Sequence, residues 1–178
     1  KGMSSLSLRY TLENTLDHDV YVFTKILTYN RRTREREPDP DRVYVAWQPD
    51  AVGETVRICK ELWRVPEYMD VESPEVPHLT RLAPGETLEE NLTLGLPLKL
   101  DYPYMSAFKS KKAKPGDATQ SRAKSVVFGI GYVTGDPTDL RLEAIDADTF
   151  TVPYGIAQLK QKRVEHSVNV PVRVTGTE

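Results

Sequence analysis

The chain has 178 residues, 39% of them apolar and 28% charged, with a formal net charge of −2. That is enough length for one substantial core and an ordinary composition for a globular domain. The near-neutral balance excludes a global field toward nucleic acid or anionic lipid, and no apolar stretch reaches the roughly 18 residues a membrane helix needs.

Taken in order, Lys1-Gly2 ahead of Met3-Ser4-Ser5 reads as a cloning remnant before a native start, which implies a cytoplasmic protein; a processed N-terminus would imply a secreted or periplasmic one. Leu6, Leu8, Tyr10 and Leu12 alternate with Ser7, Arg9 and Thr11, the period of a half-buried strand. Turn residues Asn14 to Asp19 lead into a second strand, Val20 to Tyr29. Residues 30–41 are polar, with Arg31, Arg32, Arg34 and Arg36 close to Glu35, Glu37, Asp39 and Asp41. A hairpin there pairs its own charges and offers no phosphate site. A third strand follows at 42–47 and a fourth at 55–63. The fourth holds Cys59, the only cysteine, which forbids an internal disulfide and reads as an inert buried thiol.

Prolines 66, 74, 77 and 84 make residues 64–86 irregular, and the turn at 82–87 opens a leucine-rich strand over 88–98. A second long break covers 99–124. Ser125 to Val133 is then the longest apolar, β-branched run, a strand buried on both faces: Val126, Phe128, Ile130 and Tyr132 make one face bulky, and Gly129 and Gly131 flatten the other. Two shorter strands are expected at 140–142 and 149–152, a helical turn or two at 156–161, and a last strand through Val164, Val168, Val170, Val172 and Val174. Some eight or nine short strands without a helical period predict an all-β chain, a single antiparallel β-sandwich domain with two long irregular loops, the second flexible over 108–124.

The Leu-x-Leu-x-Tyr-x-Leu first strand running into Glu13-Asn14-Thr15, the Leu82-Ala83-Pro84-Gly85-Glu86 turn and the apolar strand ending at Tyr132 resemble those of immunoglobulin-like and fibronectin-III-like sandwiches, over residues 5–152. The resemblance implies a scaffold shared by adhesion, chaperone and carbohydrate-binding proteins, here without the paired cysteines of antibody domains.

No catalytic motif appears. His18, His78 and His166 are isolated, no nucleophile elbow or P-loop is present, and Gly129-Ile130-Gly131 lies inside a strand. Glu37, Asp39 and Asp41, like Asp146 and Asp148, lack the glycine and closing glutamate of a calcium loop. No enzyme, metal or cofactor is expected, and membrane and nucleic-acid partners are disfavoured.

Two binding readings remain. Residues 99–124 carry seven basic against two acidic side chains, and residues 61–90 carry eight acidic against two basic. The first predicts a protein partner or a homo-oligomer, bound through Tyr102, Tyr104, Met105, Phe108, Lys109, Lys111 and Lys112 and through Glu67, Asp70 and Glu72, or by pairing at a free sheet edge. In a seven-strand topology the two charged loops fall at opposite ends, which permits head-to-tail self-association. The second predicts a small molecule or carbohydrate on Trp47 and Trp63, in a slot floored by Gly129 and Gly131; a core tryptophan filling that room is the competing use of the glycines.

Overall fold

In a computed structural model that describes residues 4–105 and 120–176, the chain is mostly strand, arranged in three sheets. In chain order the strands are β1 (Ser5–Glu13), β2 (Val20–Asn30), β3 (Glu35–Asp39), β4 (Tyr44–Trp47), β5 (Thr55–Lys60), β6 (His78–Leu82), β7 (Thr87–Gly95), β8 (Leu98–Lys99), β9 (Gln120–Ala123), β10 (Ser125–Thr134), β11 (Glu143–Ala144), β12 (Thr149–Thr151), β13 (Lys162–Val168) and β14 (Val172–Thr175). One helix, α1 (Tyr154–Lys160), precedes β13. No described helix is long and apolar enough to cross a membrane.

The alternation read in the first strand determines how the layers meet. β1 and β7 pair antiparallel from Ser5↔Gly95 to Glu13↔Thr87, which aligns Leu6, Leu8, Tyr10 and Leu12 with Leu94, Leu92, Glu90 and Leu88. That row covers one face of a nine-stranded sheet of order β11-β12-β6-β2-β10-β5-β4, to which β13 adds on β10 and β3 on β2. Leu6 and Leu92 pack there with Val56, Ile58 and Val126, and the third sheet, β8-β14-β9, contributes Leu98, Ala123, Val172 and Val174. On the opposite face Tyr21, Phe23, Leu62, Leu79 and Val133 pack with Ala157 of α1.

β10 is the hub. One edge pairs antiparallel with β13 over residues 126–132; the other runs parallel to β5 over 125–130, then antiparallel to β2 over 132–134. Its apolar run is buried on both faces except at Phe128 and Tyr132, which are half-buried. The polar segment 30–41 does fold back, with β3 pairing Ile26 to Asn30 and the side chains of Asn30 and Thr33 both donating to Glu37.

Several elements differ from expectation. β6 forms inside the segment read as irregular, because Pro77 and Pro84 bracket it without occupying it. β9 occupies residues 120–123, part of the stretch expected to be flexible, and pairs with β14. The final valine run is two strands in different sheets, parted at Asn169-Val170-Pro171 where proline lacks a ladder donor. Leu140 and Leu142 form turns, with their N–H groups bonded to Asp136 and Pro137, and the strand begins at Glu143. The β10–β5 and β14–β8 pairs are parallel, so the sheets are not antiparallel throughout.

Candidate functional site

Trp47 closes β4, Trp63 follows β5, and Tyr102 and Tyr104 lie in the loop after β8. With Pro49, Pro66 and Pro103 they line an open groove of about 490 Å³. The structure thus joins two sets of candidates that the sequence presented as alternatives. Tyr102 and Tyr104 came from the partner-binding reading, and Trp47 and Trp63 from the ligand reading.

Each wall is fixed from behind. Val45 and Asp101 exchange backbone hydrogen bonds of 2.8 and 2.9 Å, which ties the 101–104 loop to β4. The 62–66 segment is held by the last turn of α1 and its exit: the Leu62 N–H donates to Gln161 Oε1 at 2.7 Å, Gln161 Nε2 returns a bond to Leu62 O at 3.2 Å, and the Val65 N–H donates to the Tyr154 hydroxyl at 2.7 Å. Trp63 stacks on Tyr102 with ring centres 4.9 Å apart and planes 22° off parallel, and the edge of Tyr44 meets Trp63 at 6.2 Å. Tyr44 is fully buried, and its hydroxyl donates to Glu75. Burial first, then the Glu75 charge, pushes that hydroxyl far above its ordinary range, so it remains a donor. Arg42 meets both Glu75 at 3.8 Å and Asp101 at 3.2 Å, tying the base of the groove to its rim.

Tyr104 has φ of 66°, in the left-handed region. A residue with a Cβ held there costs about 1–2 kcal/mol, a strain typical of sites where a side chain must be aimed. The charge around the mouth is mostly acidic. Arg64 lines the groove, but Asp50 stands between the lining residues Pro49 and Val52, and exposed Glu67, Asp70 and Glu72 follow Pro66 along the chain.

The slot expected between the glycines and the tryptophans is absent, and neither tryptophan fills the glycine room. A Cβ at Gly129 would lie 2.7 Å from Arg57 Nη2; one at Gly131 would lie 2.6 Å from Gln161 Oε1 and 2.9 Å from the Glu61 Cβ. A buried ion-pair cluster occupies the space: Arg57 meets Glu61 at 2.9 Å and Glu165 at 2.8 Å, and Glu61 also takes Arg163 at 2.8 Å. Nothing in the strand Val56-Arg57-Ile58-Cys59 signals that its arginine points inward; only the parallel pairing with β10 reveals it. Cys59 is fully buried beside this cluster, and burial above all raises its thiol well beyond the ordinary range. It sits there as an inert group.

The remaining candidates separate. Met105 packs against the first core cluster, while Phe108, Lys109, Lys111 and Lys112 lie outside the described residues. The two long loops do not keep to opposite ends, since Arg64 and Pro66 of one meet Tyr102 and Tyr104 of the other in the groove. Among the described residues no group of three or more His, Cys, Asp and Glu is placed to hold a metal ion. Asp146 instead accepts the backbone N–H groups of Asp148 and Thr149, and Asp39 that of Asp41. His18 pairs with its neighbour Asp17 at 2.7 Å in an exposed turn.

Against known proteins, no family model, curated protein or solved structure matches the chain, so nothing in those comparisons ties it to the immunoglobulin-like or fibronectin-III-like families.

Proposed function

We propose that the protein is a non-catalytic binding module whose aromatic groove takes an extended, proline-rich and basic segment of a protein partner. The observation that carries this reading is the convergence of Trp47, Trp63, Tyr102 and Tyr104 in one open groove with braced walls. Flat rings flanked by prolines suit pyrrolidine and aliphatic side chains, and a polyproline segment loses little entropy on docking. A sugar needs several hydrogen-bonding side chains around its stacking platform, whereas this lining offers Arg64 and little else that is charged. Asp50, Glu67, Asp70 and Glu72 at the mouth favour lysine or arginine on the partner. Two sheets packed face to face agree with an immunoglobulin-like scaffold in coarse outline, although the parallel β5–β10 pair departs from that pattern.

Both tryptophans of the chain line the groove, so intrinsic fluorescence reports its occupancy directly. A titration with a proline peptide carrying interspersed lysines is expected to shift the emission, and the affinity should fall as salt rises. Tyr104→Gly should remove the response at least ten-fold yet leave the fold intact, because glycine relieves the left-handed backbone. A response to cellohexaose or chitohexaose in place of the peptide would move the assignment to carbohydrate. Silence toward all three would overturn the groove as a binding site.

A further inference from the structure

A second surface, away from the groove, follows from how the layers are offset. Tyr10 of β1 sits on Phe128 of β10, with ring centres 4.9 Å apart, and Glu90 of β7 meets Lys60 of β5. The upper layer therefore places β7 over β5 and β1 over β10. The lower layer continues one strand further, to β13, and among the described residues no strand pairs with the outer edge of β1. Register with β10 aims Val164, His166 and Val168 of β13 to the same side as Ile130, Phe128 and Val126. Val164 and Val168 nonetheless stay 48% and 45% exposed. A cleft opens in the uncovered strip, in two lobes of about 120 and 160 Å³, walled by Tyr10 and Leu12 on one side and Val164 on the other, over Phe128, Ile130 and Tyr132.

We propose that this cleft receives one extended segment of another protein, which adds to the free edge of β1 as a third strand of the upper sheet. Unpaired N–H and C=O groups recur along that edge at every second residue and specify a β-strand as the occupant. Alternate side chains of the segment would point down onto Val164, Phe128 and Ile130, so they must be apolar, and the intervening ones face solvent. The single-strand overhang decides between a lone segment and a second copy. A two-layered edge approaching β1 in the plane of its sheet would drive its lower layer into β13, whereas one strand at the usual spacing of about 4.8 Å lies above β13 without hindrance. The site is independent of the aromatic groove, none of whose lining residues it shares.

The test is selection from a display library of seven-residue peptides of alternating apolar and polar pattern, followed by backbone amide spectra of the protein with each enriched peptide. The expected result is enrichment of peptides that shift and slow the exchange of amides in 9–13 and 162–168. Binding should weaken at least ten-fold with Val164→Lys, at an already exposed position, and at least ten-fold when the peptide is N-methylated at alternate residues, and it should be unchanged by Tyr104→Gly. Failure to enrich, equal binding to Val164→Lys, or indifference to N-methylation would overturn the proposal. Light scattering that shows a dimer blocked by Val164→Lys would replace the lone segment with a second copy and overturn it equally.

Discussion

His78 opens β6 opposite Lys25, and its Nδ1 is buried without a hydrogen-bond partner. Burial, and then the Lys25 ammonium, lower its pKa from the ordinary 6.5, against a smaller opposing pull from Asp146. The folded state therefore favours the neutral ring, and the unfolded chain binds the extra proton first as the pH falls. This contribution to stability is complete above pH 6.5 and disappears as pH falls through the lower, folded value. Urea midpoints measured in steps from pH 7.5 to 5.5 should decline for the parent protein and decline less for His78→Gln. Parallel curves would rule the histidine out as the cause. Sequence gives no access to this behaviour, because the neighbours that matter, Lys25 and Asp146, are remote in the chain.

At the scale of elements, β10 shows how a strand can be obvious in sequence while its purpose is not. The glycines at 129 and 131 announce a close approach, but the group that approaches is a guanidinium, and the tryptophans expected there lie elsewhere. Gly129→Ala must displace Arg57 from its two carboxylates, and Gly131→Ala meets the Glu61 Cβ, which is fixed to the backbone. Each should cost about 1–3 kcal/mol, the second more than the first. Gly95→Ala in β7, where an added Cβ meets nothing within 4 Å, should stay within about 0.5 kcal/mol. Chemical denaturation ranks the three, and a harmless Gly131→Ala would mean that the cluster yields easily. The alternation in β1 and β7 was legible for the opposite reason: one face of that sheet meets water, so the period of two survives. β6 and β9 are too short to carry such a period, and the break before β14 leaves the valine parity unchanged.

For the whole molecule, one side chain bolts the layers together. Lys60 is fully buried, and its Nζ lies 2.6 Å from both Glu90 Oε2 and the Pro40 carbonyl, while the Tyr10 hydroxyl donates to the same carboxylate. Lys60→Met leaves Glu90 without its cation and should cost about 3 kcal/mol. Adding Glu90→Gln, which keeps an acceptor for Tyr10, should recover part of that loss; strict additivity of the two single changes would deny the coupling. The all-β class was readable from the turn spacing. Neither the groove nor the layer offset was, because both arise from which strands become neighbours: the Val45–Asp101 bridge brings the aromatic residues together, and β13 reaches beyond β1 only through its pairing with β10. The central place of β10 also has a consequence in time. Synthesis reaches Ser125 only after β2 and β5 have left the ribosome, yet those strands meet in the sheet through β10. Until it emerges, each keeps an open edge, and pairing must wait for partners far apart in the chain, which slows folding and exposes the nascent chain to association with its neighbours. A polypeptide cut short before residue 125 should thus collect in aggregates, however well its first strands are formed.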